Sequence, residues 1–273
     1  MRSTLKLLLV LALAVLLLVA GLNLWGYVTL GTLTPDSEPR IDAAANRVVM
    51  IFGATGSVGD GLLKAALEDD TVERIHIITR RTSPRIDEAV ASGRARMRLH
   101  EDFTDYTSLS AILGEVNTVM WALGTSSLNV DDATYTRIHV DFPVAFVRAW
   151  LGQRTRGPMA FHYVTGMGTD PEGGQHWARE KGRAEQMLAE LAAGTGLRTF
   201  SYRSAFIRPT AEQSNALHYL GEALLKPGYL VISGRELGHA MLEISARTRE
   251  LPNGTLVDNR DSVEYARAYA ARR

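Results

Sequence analysis

Chemistry is most concentrated in one run of glycines. Residues 53–59 read GATGSVG, directly after the apolar residues 48–52 and just before a helix-like pattern that begins at about Leu62. A buried strand that turns on glycine into a helix forms the phosphate end of a dinucleotide site. Gly53 permits the tight turn, Gly56 lets the backbone approach a pyrophosphate, and Gly59 lets the helix pack closely on the strand. The amides around Thr55, Ser57 and Val58, together with the helix dipole, favour phosphate charge. A glycine loop can also be only a turn, so the surrounding residues matter. A second expected strand, 74–79, ends at Arg80-Arg81, about 27 residues beyond Gly53, where such sites meet the adenosine ribose. An acidic residue there suits NAD, and a basic one accommodates the 2′-phosphate of NADP. The pair therefore favours NADP over NAD, with Arg80 ahead of Arg81. The plainer alternative is two exposed arginines closing a strand.

The elements that must position these groups can be read from the hydrophobic periodicity. Short apolar runs alternate with longer amphipathic ones from residue 47 onward, which predicts an α/β fold, a doubly wound parallel sheet covered by helices. Strands are expected at 47–52, 74–79, 95–100, 117–122, 159–165 and 197–204. Helices are expected at 58–69, 105–114, 132–151 and 176–193. Arg94, Arg96 and Arg98 alternate with Ala95, Met97 and Leu99, as for a strand with one face exposed. Asp102 and Phe103 follow the third strand and are placed at the adenine. Ala122, Leu123 and Gly124 follow the fourth and are placed at the nicotinamide-side ribose, because open α/β sheets take ligands at their carboxyl ends. Ordinary loop chemistry competes with both assignments. Beyond about residue 210 the pattern is less regular, with helices at 216–225, 236–246 and 262–271 and a short strand at 255–257. This tail is expected to form a small substrate-side lobe of the one domain spanning 47–273.

Residues 1–35 stand apart. No charge occurs between Leu7 and Pro35, and Asn23 is the one strongly polar residue in the stretch 7–25. As a helix that stretch is about 28 Å long, close to the hydrocarbon thickness of a bilayer. Its apolar run is longer than that of an ordinary signal peptide, and its one A-x-A, at 12–14, lies inside the run. An uncleaved single-pass anchor through residues 5–25 is therefore the expectation, with a cleaved signal segment as the alternative. Trp25 and Tyr27 suit the interface. Arg2 and Lys6 favour an inside amino terminus, which conflicts with keeping a cofactor domain where cofactor is abundant, so the side of the main domain stays open. Residues 36–46, with mixed charge and proline, read as a linker.

The ordered set of motifs resembles the atypical short-chain dehydrogenase/reductases, in particular the NmrA-like proteins and their relatives like the Tat-interacting tumour-suppressor protein. The resemblance runs from Val48 to about Ile207 and rests on GATGSVG, TRR at 79–81, DF at 102–103 and WALGTS at 121–126. It continues through YVTGMGTD at 163–170, WAREKGRAE at 177–185 and YRSAFIRP at 202–209. It implies a Rossmann fold and carbonyl chemistry in which a tyrosine passes a proton while a lysine four residues on lowers its pKa and holds the ribose. Lys181 matches that lysine, and Thr165 matches the assisting serine or threonine. The tyrosine position holds Trp177, whose indole has no titratable hydroxyl. The other proton donors considered are His176, Tyr163 and Tyr202. The family's usual proline after arginine is Ser204 here. The implied function is NADP-dependent reduction of a small or lipophilic carbonyl. A non-catalytic NADP(H) sensor that acts through a protein partner is the alternative that Trp177 raises, with a membrane-assembly or chaperone role a weaker third.

Other chemistries find little support. The chain has no cysteine, which excludes disulfides and thiolate catalysis. Its histidines are scattered without HExxH spacing, so no metal site is expected. No G-x-S-x-G elbow is present. Lys+Arg and Asp+Glu balance at 30 each, which gives no bulk attraction for nucleic acid. The triplet 253–255 fits a glycosylation acceptor, but such triplets arise too often by chance to weigh.

Overall fold

The structure, a computed structural model, describes residues 2–154 and 156–273. At its centre is β1 (Val48–Phe52), apolar throughout and buried in all but its first residue. A strand buried on both faces reads as a continuous apolar run, which is how a parallel sheet covered by helices is written in sequence. β1 turns into α2 (Ser57–Glu68), followed by β2 (Arg74–Thr79), α3 (Pro84–Ala91), β3 (Ala95–Leu99), a short α4 (Ser110–Leu113) and β4 (Thr118–Trp121). The second half continues through α5 (Asp132–Thr136), α6 (Phe142–Gln153), β5 (Met159–Val164), α7 (His176–Ala192) and β6 (Leu197–Arg203). The amino-terminal helix, α1, spans Arg2–Thr29.

The last third adds β7 (Phe206–Arg208), α8 (Ala216–Leu225), β8 (Val231–Ser233), α9 (Gly234–Ala246), β9 (Thr255–Asp258) and α10 (Asn259–Arg272). Seven strands pair in the order β3-β2-β1-β4-β5-β6-β9, every pair parallel. Strand order reverses between β1 and β4, the crevice where doubly wound sheets take ligands. One face is covered by α2, α9 and α10 around Leu62, Met241 and Tyr265, and the other by α6 and α7 around Phe146, Trp150 and Leu188. The expected doubly wound parallel sheet is present. Residues from 206 onward divide between two places: β9 is an edge strand of the main sheet, whereas β7 and β8 form a separate two-stranded sheet beside α8.

Some local expectations are corrected. A helix at 84–91 was not anticipated, although Ser83-Pro84 is a start signal: Pro84 has its φ preset, and its missing N–H is an orphan at a helix start in any case. The helix expected at 105–114 is a 3-10 turn, Thr107–Leu109, followed by the single turn of α4. The alternation in β3 holds through Met97 but fails at Leu99, which is exposed at the sheet edge. The helix expected at 132–151 is interrupted by a π turn, Arg137–Asp141. Pro143 explains the interruption, because proline cannot donate to the carbonyl four residues back. That carbonyl belongs to His139, and it accepts instead from the Tyr163 hydroxyl at 2.7 Å.

Residues 30–46 run along the fold through specific bonds. The amides of Thr32 and Leu33 both donate to Asp261 Oδ1 at 2.9 Å, and that of Gly31 donates to Asp258 at 2.7 Å. Asp42 caps the 3-10 turn Ala43–Asn46, and the Asn46 side chain donates to the Leu242 carbonyl. Among the described residues α1 is the one helix long and apolar enough to cross a membrane, over Lys6–Thr29; residues 7–18 of it are all exposed, and Gly26 near its end is buried against the fold. A signal sequence passes the same test of length and composition.

Candidate cofactor site

The carboxyl ends of β1, β2, β4, β5 and β6 open onto a trough with two adjoining parts. The first, about 460 Å³, is lined by Gly53, Thr55 and Gly56 from the glycine turn, by Arg80 and Arg81, by Phe103, and by Ala122, Leu123 and Gly124. The second, about 530 Å³, shares Gly56 and residues 122–124 and continues past Ser57 and Val58 to His139, Thr165, Lys181 and Ser204. The expected residues at Gly53, Thr55, Gly56, Ser57, Val58, Arg80, Arg81, Phe103, Ala122, Leu123, Gly124, Thr165 and Lys181 thus share one concavity. Gly59 stands behind it, and Asp102 and Trp177 lie outside its lining.

The first part is made of backbone. Gly53 has φ +78, and a Cβ there would stand 2.5 Å from the Ala122 carbonyl oxygen. A Cβ on Gly59 would stand 2.1 Å from the Gly53 carbonyl oxygen. These two contacts bring the turn, the helix start and the end of β4 together, at distances only glycine allows. Gly56 caps α2 with no side-chain bond, so the first-turn amides keep their donor capacity. The carboxylate in that first turn, Asp60, is buried and held by Arg85 at 2.7 Å and Thr210 at 2.6 Å. It is thereby turned away from an anion at the helix start. Neither the Arg80 nor the Arg81 guanidinium has a protein partner among the described residues; both side chains are exposed at the rim. Asp102 behaves differently from its expected role. Its carboxylate is exposed and closes a local turn with the Thr104 amide and hydroxyl, and those bonds hold its pKa below the usual range.

The second part is made of side chains, and α7 organises it. Trp177, Lys181 and Glu185 recur at every fourth position and so form one stripe. The stripe runs along the loop that follows β5. The Trp177 ring lies over Gly168, whose Cβ position is 3.3 Å from ring Cη2. Lys181 Nζ donates to the Thr165 carbonyl at 2.6 Å. Glu185, buried, is paired with Arg203 at 2.6 Å and accepts from the Thr165 hydroxyl at 2.9 Å. Burial lowers the Lys181 pKa to about 8, with the Glu185 charge opposing the shift. The Thr165 hydroxyl also lies 3.1 Å from the Tyr202 carbonyl, so both its acceptors are interior ones.

The other proton donors considered in the sequence are engaged elsewhere. Tyr163 is fully buried on the His139 carbonyl, and the Tyr202 hydroxyl is bonded to His162 at 2.8 Å. Burial raises both phenol pKa values well above the ordinary one. His176 Nε2 faces the Asp132 carbonyl at 3.2 Å and the Thr136 hydroxyl at 3.3 Å, on the α5 side.

Two trough residues escaped the sequence reading as functional groups. His139 is delivered by the π turn, with Nε2 3.0 Å from the Thr125 carbonyl and ring carbon Cε1 2.7 Å from the Cβ position of Gly124. Burial, with Lys181 nearby, lowers its pKa to about 4, so the ring is neutral at pH 7. Pro143, four residues on, was the available signal. Ser204, buried at the end of β6, has a hydroxyl with no hydrogen-bond partner, and so does His139 Nδ1. Unpartnered buried polar atoms are uncommon and call for a ligand or a water. Among the described residues no cluster suits a metal ion.

Comparison with known proteins agrees with this geometry. Similar solved structures include a short-chain dehydrogenase/reductase-family oxidoreductase from Burkholderia thailandensis, at 18% identity and TM-score 0.59 over 78% of this chain and 90% of that one. A 3-oxoacyl-[acyl-carrier protein] reductase from Brucella melitensis aligns at 12% identity and TM-score 0.61 over 80% and 97%. The Bordetella bronchiseptica enzyme WbmF, solved with NAD+ and UDP, aligns at 14% identity and TM-score 0.57 over 79% and 72%. The chain therefore has the Rossmann fold that these oxidoreductases share. In sequence it is 27% identical over 143 residues to the leucinostatins biosynthesis cluster protein T of Purpureocillium lilacinum, a match covering 52% of this chain. The match spans about half the length of that relative. No family model matches.

Proposed function

We propose that the chain is a membrane-anchored, NADP(H)-binding protein of the atypical short-chain dehydrogenase/reductase type that reduces a small or lipophilic carbonyl. The observation that carries this reading is the single trough across the switch point, with a glycine cradle and free arginines at one end and Lys181 and Ser204 at the other. Clefts at that point of an open α/β sheet are where dinucleotides lie. The names of the similar structures support it: WbmF was solved with NAD+. NADP is favoured over NAD because Arg80 and Arg81 are unpaired cations with no acidic residue beside them in the lining.

The residues fit such a cofactor: the first-turn amides of α2 take the pyrophosphate, the arginines the 2′-phosphate, and Lys181 the nicotinamide ribose. The bound nicotinamide supplies the hydride chemistry. With Trp177 in the tyrosine position, Lys181 is left as the trough's titratable proton donor near neutral pH. A lysine pKa of about 8 suits general acid catalysis, because the group is charged at pH 7 yet yields its proton readily. Ser204 and Thr165 steady the substrate oxygen, Thr165 only after its hydroxyl turns from Glu185. The anchor reading is supported by the bonds that residues 23–33 make to the folded domain, which a removed leader has no need of.

The second reading is a non-catalytic NADP(H) sensor, favoured by the engagement of Tyr163, Tyr202 and His176 away from the trough. NADPH titration followed by a carbonyl panel separates the two. The enzyme reading expects substrate-dependent NADPH oxidation that is lost in Lys181→Met and falls off above pH about 8. Tight NADPH binding with no turnover, even in Trp177→Tyr, selects the sensor. Failure to bind either nucleotide removes both.

A further inference from the structure

α8 is an unusual helix: it is largely apolar, yet none of its residues is buried. Leu217, Leu220 and Leu224, spaced three and four apart and so on one face, are 75%, 54% and 38% exposed. The helix is not loosely attached. Arg208, on β7, pairs with Glu222 at 2.6 Å and lies over the Tyr219 ring, and the Phe206 ring lies 3.5 Å from the Cβ position of Gly221. A well-held helix that leaves its leucines outward has a surface made for apolar contact.

The carboxyl end of α8 touches α1. Asn23, the polar residue in the apolar run, donates to the Leu224 carbonyl at 2.7 Å and accepts from the Gly228 amide at 2.6 Å. Gly26 and Gly228 approach so closely that a Cβ on Gly26 would stand 2.2 Å from the Gly228 carbonyl oxygen. From this contact residues 7–18 project away with every side chain exposed. Such a segment requires an apolar medium of its own length, and residues 7–22 span about 24 Å as a helix. The edge of that medium therefore falls near residues 23–27. The groups at this level suit it: Tyr27 and Tyr229 pack 6.2 Å apart, and the Arg260 guanidinium lies over both rings. Aromatic rings and long cationic side chains of this kind collect at headgroups.

We propose that α8 lies on the bilayer that α1 enters, its Leu217–Leu220–Leu224 face sunk among the upper acyl chains. The inference rests on the anchor reading of α1 and not on turnover. Ile207 of β7, the strand that precedes α8, also lines the second part of the trough.

The cysteine-free chain makes the test direct. Leu16→Cys, Leu99→Cys and Leu220→Cys each give a single thiol for an NBD label in the full chain, reconstituted in phosphatidylcholine/phosphatidylglycerol vesicles. All three parent side chains are exposed, so none is a core substitution. Doxyl groups near the headgroup are expected to quench label 220 at least threefold more than label 99, which sits on the outer edge of the sheet. Deeper doxyl groups are expected to quench label 16. If label 16 is quenched and 220 behaves like 99, the docking of α8 is overturned while the anchor stands. Blue-shifted emission at 220 without lipid quenching overturns it in favour of a second protein copy on α8. If label 16 is also unquenched, the anchor reading fails and takes the proposal with it.

Discussion

The two parts of the trough are built from different materials. Around Gly53, Gly56 and Gly59 the surface is backbone, fixed by contacts that exclude a side chain, and the charged groups at its rim are free. Around Lys181 the surface is side chain, and most polar groups there already hold one another: Lys181 with the Thr165 carbonyl, the Thr165 hydroxyl with Glu185, Glu185 with Arg203. A backbone cradle offers the same donors to any dinucleotide, whereas an interlocked set of side chains must release a bond before it can act on a substrate. The proposed binding half is thus poised, and the proposed chemical half is poised only at Ser204 and at the remaining protons of Lys181.

The sharpest way to break the cradle is Gly53→Val. The positive φ costs about 1–3 kcal/mol for a non-glycine residue, and the Cβ contact at 2.5 Å with Ala122 adds to it. Urea unfolding is expected to show at least that loss, and nucleotide titration no detectable binding. Wild-type stability with nucleotide binding intact would mean that the turn is not the cradle.

Lys181→Met separates stability from function in the other half. Burial has lowered this lysine from 10.5 to about 8, so between those values the unfolded chain holds more protons than the folded one. Stability from this group therefore rises with pH across that window and is lowest below pH 8, where the buried ammonium is fully charged. Removing the cation is expected to stabilise the fold at pH 7 by about 1 kcal/mol, offset in part by the lost bond to the Thr165 carbonyl. It is also expected to flatten the pH dependence and to weaken NADPH binding about tenfold. Denaturant midpoints at pH 7 and pH 10 check the sign; a midpoint lowered at pH 7 would place the lysine among the fold's net stabilisers.

Arg80→Glu tests the rim. It replaces a free cation by an anion beside the proposed 2′-phosphate site, so NADP affinity is expected to fall by about tenfold or more while NAD affinity changes little. An equal change for both nucleotides would remove the assignment.

The same contrast explains what was legible in the sequence. A glycine turn after a buried strand announces itself because its physics is local: residue type, φ and the next helix lie within a few positions. The sheet was legible because β1 is a continuous apolar run and β2, although it carries His76, keeps three isoleucines among its buried residues. Side-chain engagement is not local. Lys181 and Thr165 could be named, but Thr165 facing inward depends on Glu185 and Arg203 arriving from α7 and β6. His139 was missed because it lies in the trough through a π turn, and Pro143 marked the break without saying where the ring would go. The placement of α8 against α1 depended on Asn23, whose polarity was visible but whose partners lie about two hundred positions away in sequence.

The smallest expected effect is the most discriminating. The Ser204 hydroxyl is buried and unpartnered, so Ser204→Ala removes an unsatisfied group and leaves the volume nearly unchanged. Stability is expected to hold or to rise by about 0.5 kcal/mol, because truncation relieves a desolvation cost instead of breaking a bond. If the hydroxyl waits for a substrate oxygen, kcat/KM for a carbonyl substrate is expected to fall about tenfold, with NADPH affinity unchanged. A variant that is stabilised and kinetically silent would assign Ser204 to the interior of the fold and leave Lys181 alone at the reacting end.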